Sequence, residues 1–146
     1  MINPRIALVP AICLTLLACA SAPSIYVHPN TDLSMVHRVA VLPMDNLTTD
    51  RFAAERVRQV LVIELLAQGA FDVVEVGEVN RVLRARNIDN PANLGPEQIK
   101  ALGNELKVQA LLIGSVIDYG EHRSGTFTAP EIAVAMRLVD VDSGTA

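Results

Sequence analysis

The chain has 146 residues, 51% of them hydrophobic, with 16 acidic against 12 basic side chains and a formal net charge of -4. That length fits one domain, and so much apolar content with so little net charge excludes a disordered chain. The acidic balance leaves no electrostatic reason to bind nucleic acid or anionic lipid, both of which are met by basic surfaces.

In chain order, residues 1–18 form a targeting segment and stand outside the fold. Arg5 and the amino terminus precede an uncharged stretch, residues 6–17. As a helix it spans about 18 Å, short of a hydrocarbon core of ~30 Å, so it suits a signal sequence and not an anchor helix. The segment closes on Leu16-Leu17-Ala18-Cys19. A leucine three residues before a cysteine, with a small residue directly before it, resembles the bacterial lipobox. The resemblance implies cleavage between Ala18 and Cys19, diacylglycerol on the Cys19 sulfur, and acylation of the new amino terminus. A residue other than aspartate at Ala20 implies transfer to the outer membrane. Each buried acyl methylene contributes ~0.8 kcal/mol, so three chains hold firmly where one holds marginally. Cys13 leaves with the signal and Cys19 is occupied by lipid, so no disulfide is expected and the fold must rest on its core. Residues 19–36, broken by Pro23 and Pro29, read as a lipidated tether that reaches about 50 Å when stretched.

The domain, residues 37–146, opens on Arg38-Val39-Ala40-Val41-Leu42-Pro43, a β-branched run stopped by proline that suits a strand buried on both faces. A polar loop follows at residues 46–50, and the Asp50 carboxylate is placed to cap a helix running to about Gln68. Ala53, Val57, Val60, Leu61 and residues 63–66 are expected on its inner side, and Arg51, Glu55, Arg58 and Gln59 on its solvent side. Gly69 supplies a left-handed stop. Residues 71–76 read as a second strand, parallel to the first across a right-handed connection. A shorter helix, residues 78–87, is expected to bury Val79, Val82 and Leu83. After a loop, Pro96 opens a helix carrying Ile99, Ala101, Leu102 and Leu106. Residues 110–117 are nearly all apolar and predict a central third strand; residues 132–139 alternate and predict a fourth with one more exposed face. Asp142-Ser143-Gly144 is turn chemistry that normally returns a strand, yet Thr145 and Ala146 alone follow. A further C-terminal strand is therefore expected to be missing, which leaves the fourth strand at a raw edge. The expectation is an α/β domain with a mixed sheet in two or three layers, ordered β-α-β-α-α-β-β.

That order, with the phrases VAVLPMDNLTTD, ELLAQGAFDVVEVGEVNRVL, LKVQALLIGSVIDYG and IAVAMRLVDVDSG, resembles the CsgG family of lipoproteins from about Arg38 to the last residue. The resemblance implies the periplasmic α/β domain shared by the curli secretion channel, LpoB activators of cell-wall synthases and related envelope lipoproteins. Fold does not choose among these functions. In the channel, a membrane-spanning hairpin separates the strands similar to residues 110–117 and 132–139. A spanning strand takes about 9 to 11 residues, so a hairpin needs ~20 plus a turn. Here fourteen residues, 118–131, lie between, and Glu121, His122, Arg123 and Pro130 among them interrupt the apolar alternation that lipid requires. The chain as it stands is not expected to build that pore.

The residues nominate no chemistry. His28, His37 and His122 are isolated and no His/Cys grouping has metal-ligand spacing. No glycine-rich phosphate loop is present, and Ser115 lacks the flanking glycines of a nucleophile elbow. Asp140 and Asp142 begin like a calcium loop, but the completing glutamate is absent and a plain turn is the better reading. No catalytic, cofactor or metal residue is expected, and no enzymatic role. Arg81, Arg84 and Arg86 form the one basic cluster, either a solvated helix face or, less favoured, a site for an acidic partner or cell-wall anion. The expected function is a non-enzymatic binding or assembly module, lipid-anchored in the outer membrane and facing the periplasm, whose partners are other envelope proteins or its own copies. The alternative is a component of a curli-type secretion channel.

Overall fold

The computed structural model describes residues 33–144; the signal segment, Ala18, Cys19 and most of the tether lie outside the described residues. A 3-10 turn, Leu33–Met35, leads into β1, Arg38–Val41. Then come β2 (Asp45–Asn46), α1 (Ala53–Gln68), β3 (Asp72–Val73), α2 (Val76–Ala85), α3 (Pro96–Leu106), β4 (Ala110–Ser124) and β5 (Phe127–Asp140). The sheet is mixed. β1 pairs in parallel with β3 on one side and β4 on the other, β2 continues beside β4, and β5 runs antiparallel to β4 along its whole length.

The predicted order of elements stands, with α helices on both faces of the sheet, so the fold has three layers. One face of the sheet packs Ala40, Leu42, Leu111, Ile113 and Val139 against Val79, Val82 and Leu83 of α2 and Ile99, Leu102 and Leu106 of α3. The other packs Val116, Leu112 and Val134 against Ala53, Ala54, Val57 and Leu61 of α1. Burying each such Val, Leu or Ile completely contributes about 1.5–3 kcal/mol, which makes the two-helix side the main core. α3 approaches the sheet end closely. A Cβ on Gly103 would lie 2.3 Å from Val141, so glycine is kept in mid-helix despite its poor propensity.

Several boundaries move. The polar loop after β1 contains β2, two residues that register Asp45 with Ser115 and Asn46 with Val116. Two residues carry no periodicity for a sequence to show. Asn46 then organises the loop, its Oδ1 accepting from the Thr48 amide at 3.1 Å and its Nδ2 donating to the Asp50 carbonyl at 2.8 Å. Asp50 accepts from the Phe52 amide at 2.8 Å, but α1 starts at Ala53 with Phe52 at its N-cap position, two residues later than expected. Gly69 ends α1 in the left-handed region as anticipated, φ 64°. The second strand shrinks to Asp72–Val73 because α2 begins at Val76.

The larger correction is Arg58, expected in solvent but 1% exposed. β3 pairs with Arg38 and Val39 only, so the carbonyl of Val41 at the end of β1 outruns its neighbouring strand. Arg58 fills the gap. Its Nε and Nη2 donate to that carbonyl at 3.2 and 2.8 Å, and its Nη1 donates to Asn80 Oδ1 at 3.1 Å. One side chain thus joins α1, β1 and α2 around the short side of the sheet. Burial pushes its pKa below the ordinary arginine value, opposed by the Glu55 carboxylate 3.8 Å away.

Candidate functional site

The sheet is covered unequally. Strands about 4.8 Å apart make the four-strand width β5-β4-β1-β3 wider than one helix of about 10 Å diameter. Two helices cover one face, and α1 alone covers the other. The uncovered strip lies over β5, beside the outer flank of α1.

Sequence reasoning placed Val60, Ile63 and Leu66 of α1 in the core; they are 60%, 62% and 55% exposed. The helix turns Val57 and Leu61 inward as expected, together with Ala54 and Arg58, whose guanidinium reaches the Val41 carbonyl. From β5, Ile132 and Met136 are 57% and 51% exposed. Val57, Val60 and Leu61 on the helix side and Tyr119, Ile132, Val134 and Met136 on the sheet side line a groove of about 300 Å³. Arg56 and Glu64 stand on its rim. Arg56 is held by Asp50 at 2.8 Å and lies 6.0 Å over the Tyr119 ring. Tyr119 first, then Asp50, raises its pKa, so it stays a fixed positive group at the mouth. Three of the exposed apolar side chains, Val60, Ile132 and Met136, thus meet at one groove with a polar rim, and contiguous exposed apolar surface of that kind commonly meets another molecule.

The second feature is the β4–β5 hairpin. The predicted strands ended at residues 117 and 132; both continue to a two-residue turn at Gly125-Thr126, where Gly125 has φ 63°. A bulge between Val116 and Asp118 shifts the register and separates the sheet-bound part from a projecting ribbon. Among the described residues the ribbon strands pair only with each other. Ladder partners share a face, so Glu121 and Arg123 lie on one side and His122 and Glu131 on the other. The His122–Glu131 contact is 3.4 Å. Charge on both faces is unsuited to lipid. No described helix is long and apolar enough to cross a membrane.

The arginine cluster divides. Arg86 pairs with Glu105 at 2.6 Å, tying α2 to α3. Arg81 and Arg84 stay exposed one turn apart on α2. Among the described residues, no group of three or more His, Cys, Asp or Glu is placed to hold a metal. Asp140 accepts from the Ser143 amide at 2.7 Å and so shapes the turn, as its spacing suggested.

Three solved structures share this fold. Lipoprotein GNA1162 from Neisseria meningitidis superposes with a TM-score of 0.62 at 19% identity over 75% of each chain. The PelC dodecamer from Paraburkholderia phytofirmans gives 0.52 at 20% identity over 75% of this chain and 65% of that one. The LpoB C-terminal domain from Escherichia coli gives 0.53 at 15% identity over 75% and 76%. No curated protein sequence matches the chain. Residues 20–145, nearly the whole of the tether and domain, match the profile described as curli production assembly/transport component CsgG. The chain belongs to the CsgG family.

Proposed function

We propose that this chain is a lipid-anchored envelope module that works by binding protein and carries out no chemistry of its own. In this reading the signal is cut after Ala18, Cys19 carries the lipid, and the domain stands off the outer membrane into the periplasm on residues 20–36. Its partners are other envelope proteins or further copies of itself. The observation that carries the reading is the apolar groove at Val60, Ile132 and Met136 left bare beside a well-packed core. Two relatives of the fold lend support, since GNA1162 is a lipoprotein and PelC a dodecamer. Arg81 and Arg84 offer a secondary contact for an acidic partner.

A component of a curli-type secretion channel is the second reading, favoured by the description of the matching family. The charged ribbon faces weigh against this hairpin entering lipid.

The test is affinity capture from gently solubilised envelopes, comparing the natural chain with Val60→Gln/Ile63→Gln. Recovery of a specific envelope protein or of tagged and untagged copies together, lost in the variant, supports the reading. Recovery of the single chain alone from both sinks it.

A further inference from the structure

Within the binding-module reading, and resting on its provision for further copies of the chain, the ribbon defines an occupant more sharply than the groove does. On the edge of β4 away from β5, β1 pairs at residues 110–112 and β2 at Ser115 and Val116. From Asp118 to the turn, that edge meets no described strand. A strand laid against β5 beyond Gly144 falls on the opposite side of the ribbon and leaves this edge unchanged. The tether enters the fold at the other end of β4, where Val36 packs with Ala110. Gly125, with φ 63°, opens a two-residue turn of the kind that closes on a hydrogen-bonded pair, here Ser124 and Phe127. The Val141 amide, which donates to the Gln109 carbonyl at 2.9 Å, sets the same phase along β5. By the two-residue alternation of a strand, even-numbered residues of the ribbon half of β4 bond to β5, and Tyr119, Glu121 and Arg123 direct their N–H and C=O groups outward.

The charges specify which strand. Charge on an edge ordinarily keeps other strands away. Here the signs alternate along one face, Glu121 then Arg123, and among the described residues neither has an ion-pair partner. We propose that the ribbon half of β4 pairs antiparallel with that of a second copy about a two-fold axis at His122, joining two hairpins into one four-stranded ribbon. In that register Glu121 faces the partner's Arg123, and Arg123 faces the partner's Glu121. Both are hydrogen-bonded pairs, so each exchanges two backbone bonds as its side chains neutralise each other. His122 faces its copy between them, with Glu131 already 3.4 Å from the imidazole. Neighbouring registers lose the match. An axis at Glu121 opposes two carboxylates, one at Arg123 opposes two guanidinium groups, and one at Gly120 sets Glu121 against the partner's Tyr119. The partner's turn ends level with Asp118, about 6.6 Å short of Val116, whose carbonyl already takes the Leu47 amide. An isologous pair of this kind satisfies both copies at once.

Disulfide trapping of the full chain in isolated membranes tests the pairing. His122→Cys puts a thiol on the two-fold axis, where facing Cβ atoms lie about 4.5–5.5 Å apart, and mild oxidation should yield a covalent dimer. Lys100→Cys, exposed on α3, should yield none. Added to His122→Cys, Glu121→Arg or Arg123→Glu turns two attractions into repulsions and should cut the dimer by about fivefold or more, while both exchanges together should restore it. Circular dichroism of each reduced variant should stay native, because all three side chains are exposed. No dimer from His122→Cys, an equal yield from Lys100→Cys, a yield indifferent to the single exchanges, or a double exchange that fails to recover overturns the pairing. In any of those outcomes, capture of an envelope protein that survives the β4 changes but is lost with Val60→Gln/Ile63→Gln still upholds the binding-module reading.

Discussion

Arg58 is the residue on which the two helical layers and the central strand meet. Its guanidinium satisfies a strand-end carbonyl that β3 is too short to reach. Replacing it by alanine leaves that carbonyl and Asn80 without their donor inside the fold. Urea denaturation of Arg58→Ala should show a loss of about 3 kcal/mol, and an unchanged midpoint would contradict the role. Gly103→Ala gains helix propensity of about 1 kcal/mol yet brings a methyl within 2.3 Å of Val141. A net loss of about 1–2 kcal/mol is expected in the same assay. Neither role was legible in the sequence. A lone arginine on a helix reads as solvated unless the length of a strand two elements away is known, and Gly103 reads as a weak spot until the approach of Val141 is seen.

At the scale of elements, the strands and helices were legible wherever apolar residues outnumbered two or three in period. β1, α1, α3 and the inner halves of β4 and β5 fall where the spacing put them, and Gly69 stops α1 as its conformational freedom suggests. β2 and β3, two residues each, have no period to read. The ribbon half of the hairpin was hidden because its charges broke the apolar alternation by which strands are recognised. The periodicity of α1 showed an apolar stripe but not how much of it the sheet could cover. Val60→Gln/Ile63→Gln should therefore change unfolding free energy by no more than about 0.5 kcal/mol, as exposed substitutions do. A loss of 2 kcal/mol or more by thermal or chemical unfolding, of the kind buried substitutions give, would mean that the flank is core after all.

At the scale of the whole molecule, the account joins an anchor to a domain. The anchor is proposed on four residues, Leu16-Leu17-Ala18-Cys19, which lie outside the described residues. The fold was readable from its element order and the family it resembles. The groove was not, since it depends on which side of α1 the sheet leaves bare. Cys19→Ser should move the otherwise folded domain from the membrane fraction to the soluble or unprocessed fraction, checked by fractionation and native unfolding behaviour. Unchanged membrane retention would remove the anchor from the account.

The central claim is that the bare strip of α1 and β5 meets another protein in the envelope. Site-specific photo-crosslinking in intact cells addresses it directly, with the crosslinker placed at Val60 on the groove and, for comparison, at exposed Lys100 on α3. A discrete higher-mass adduct from position 60, absent from position 100, is the predicted result. No adduct from position 60, or equal adducts from both, would contradict it.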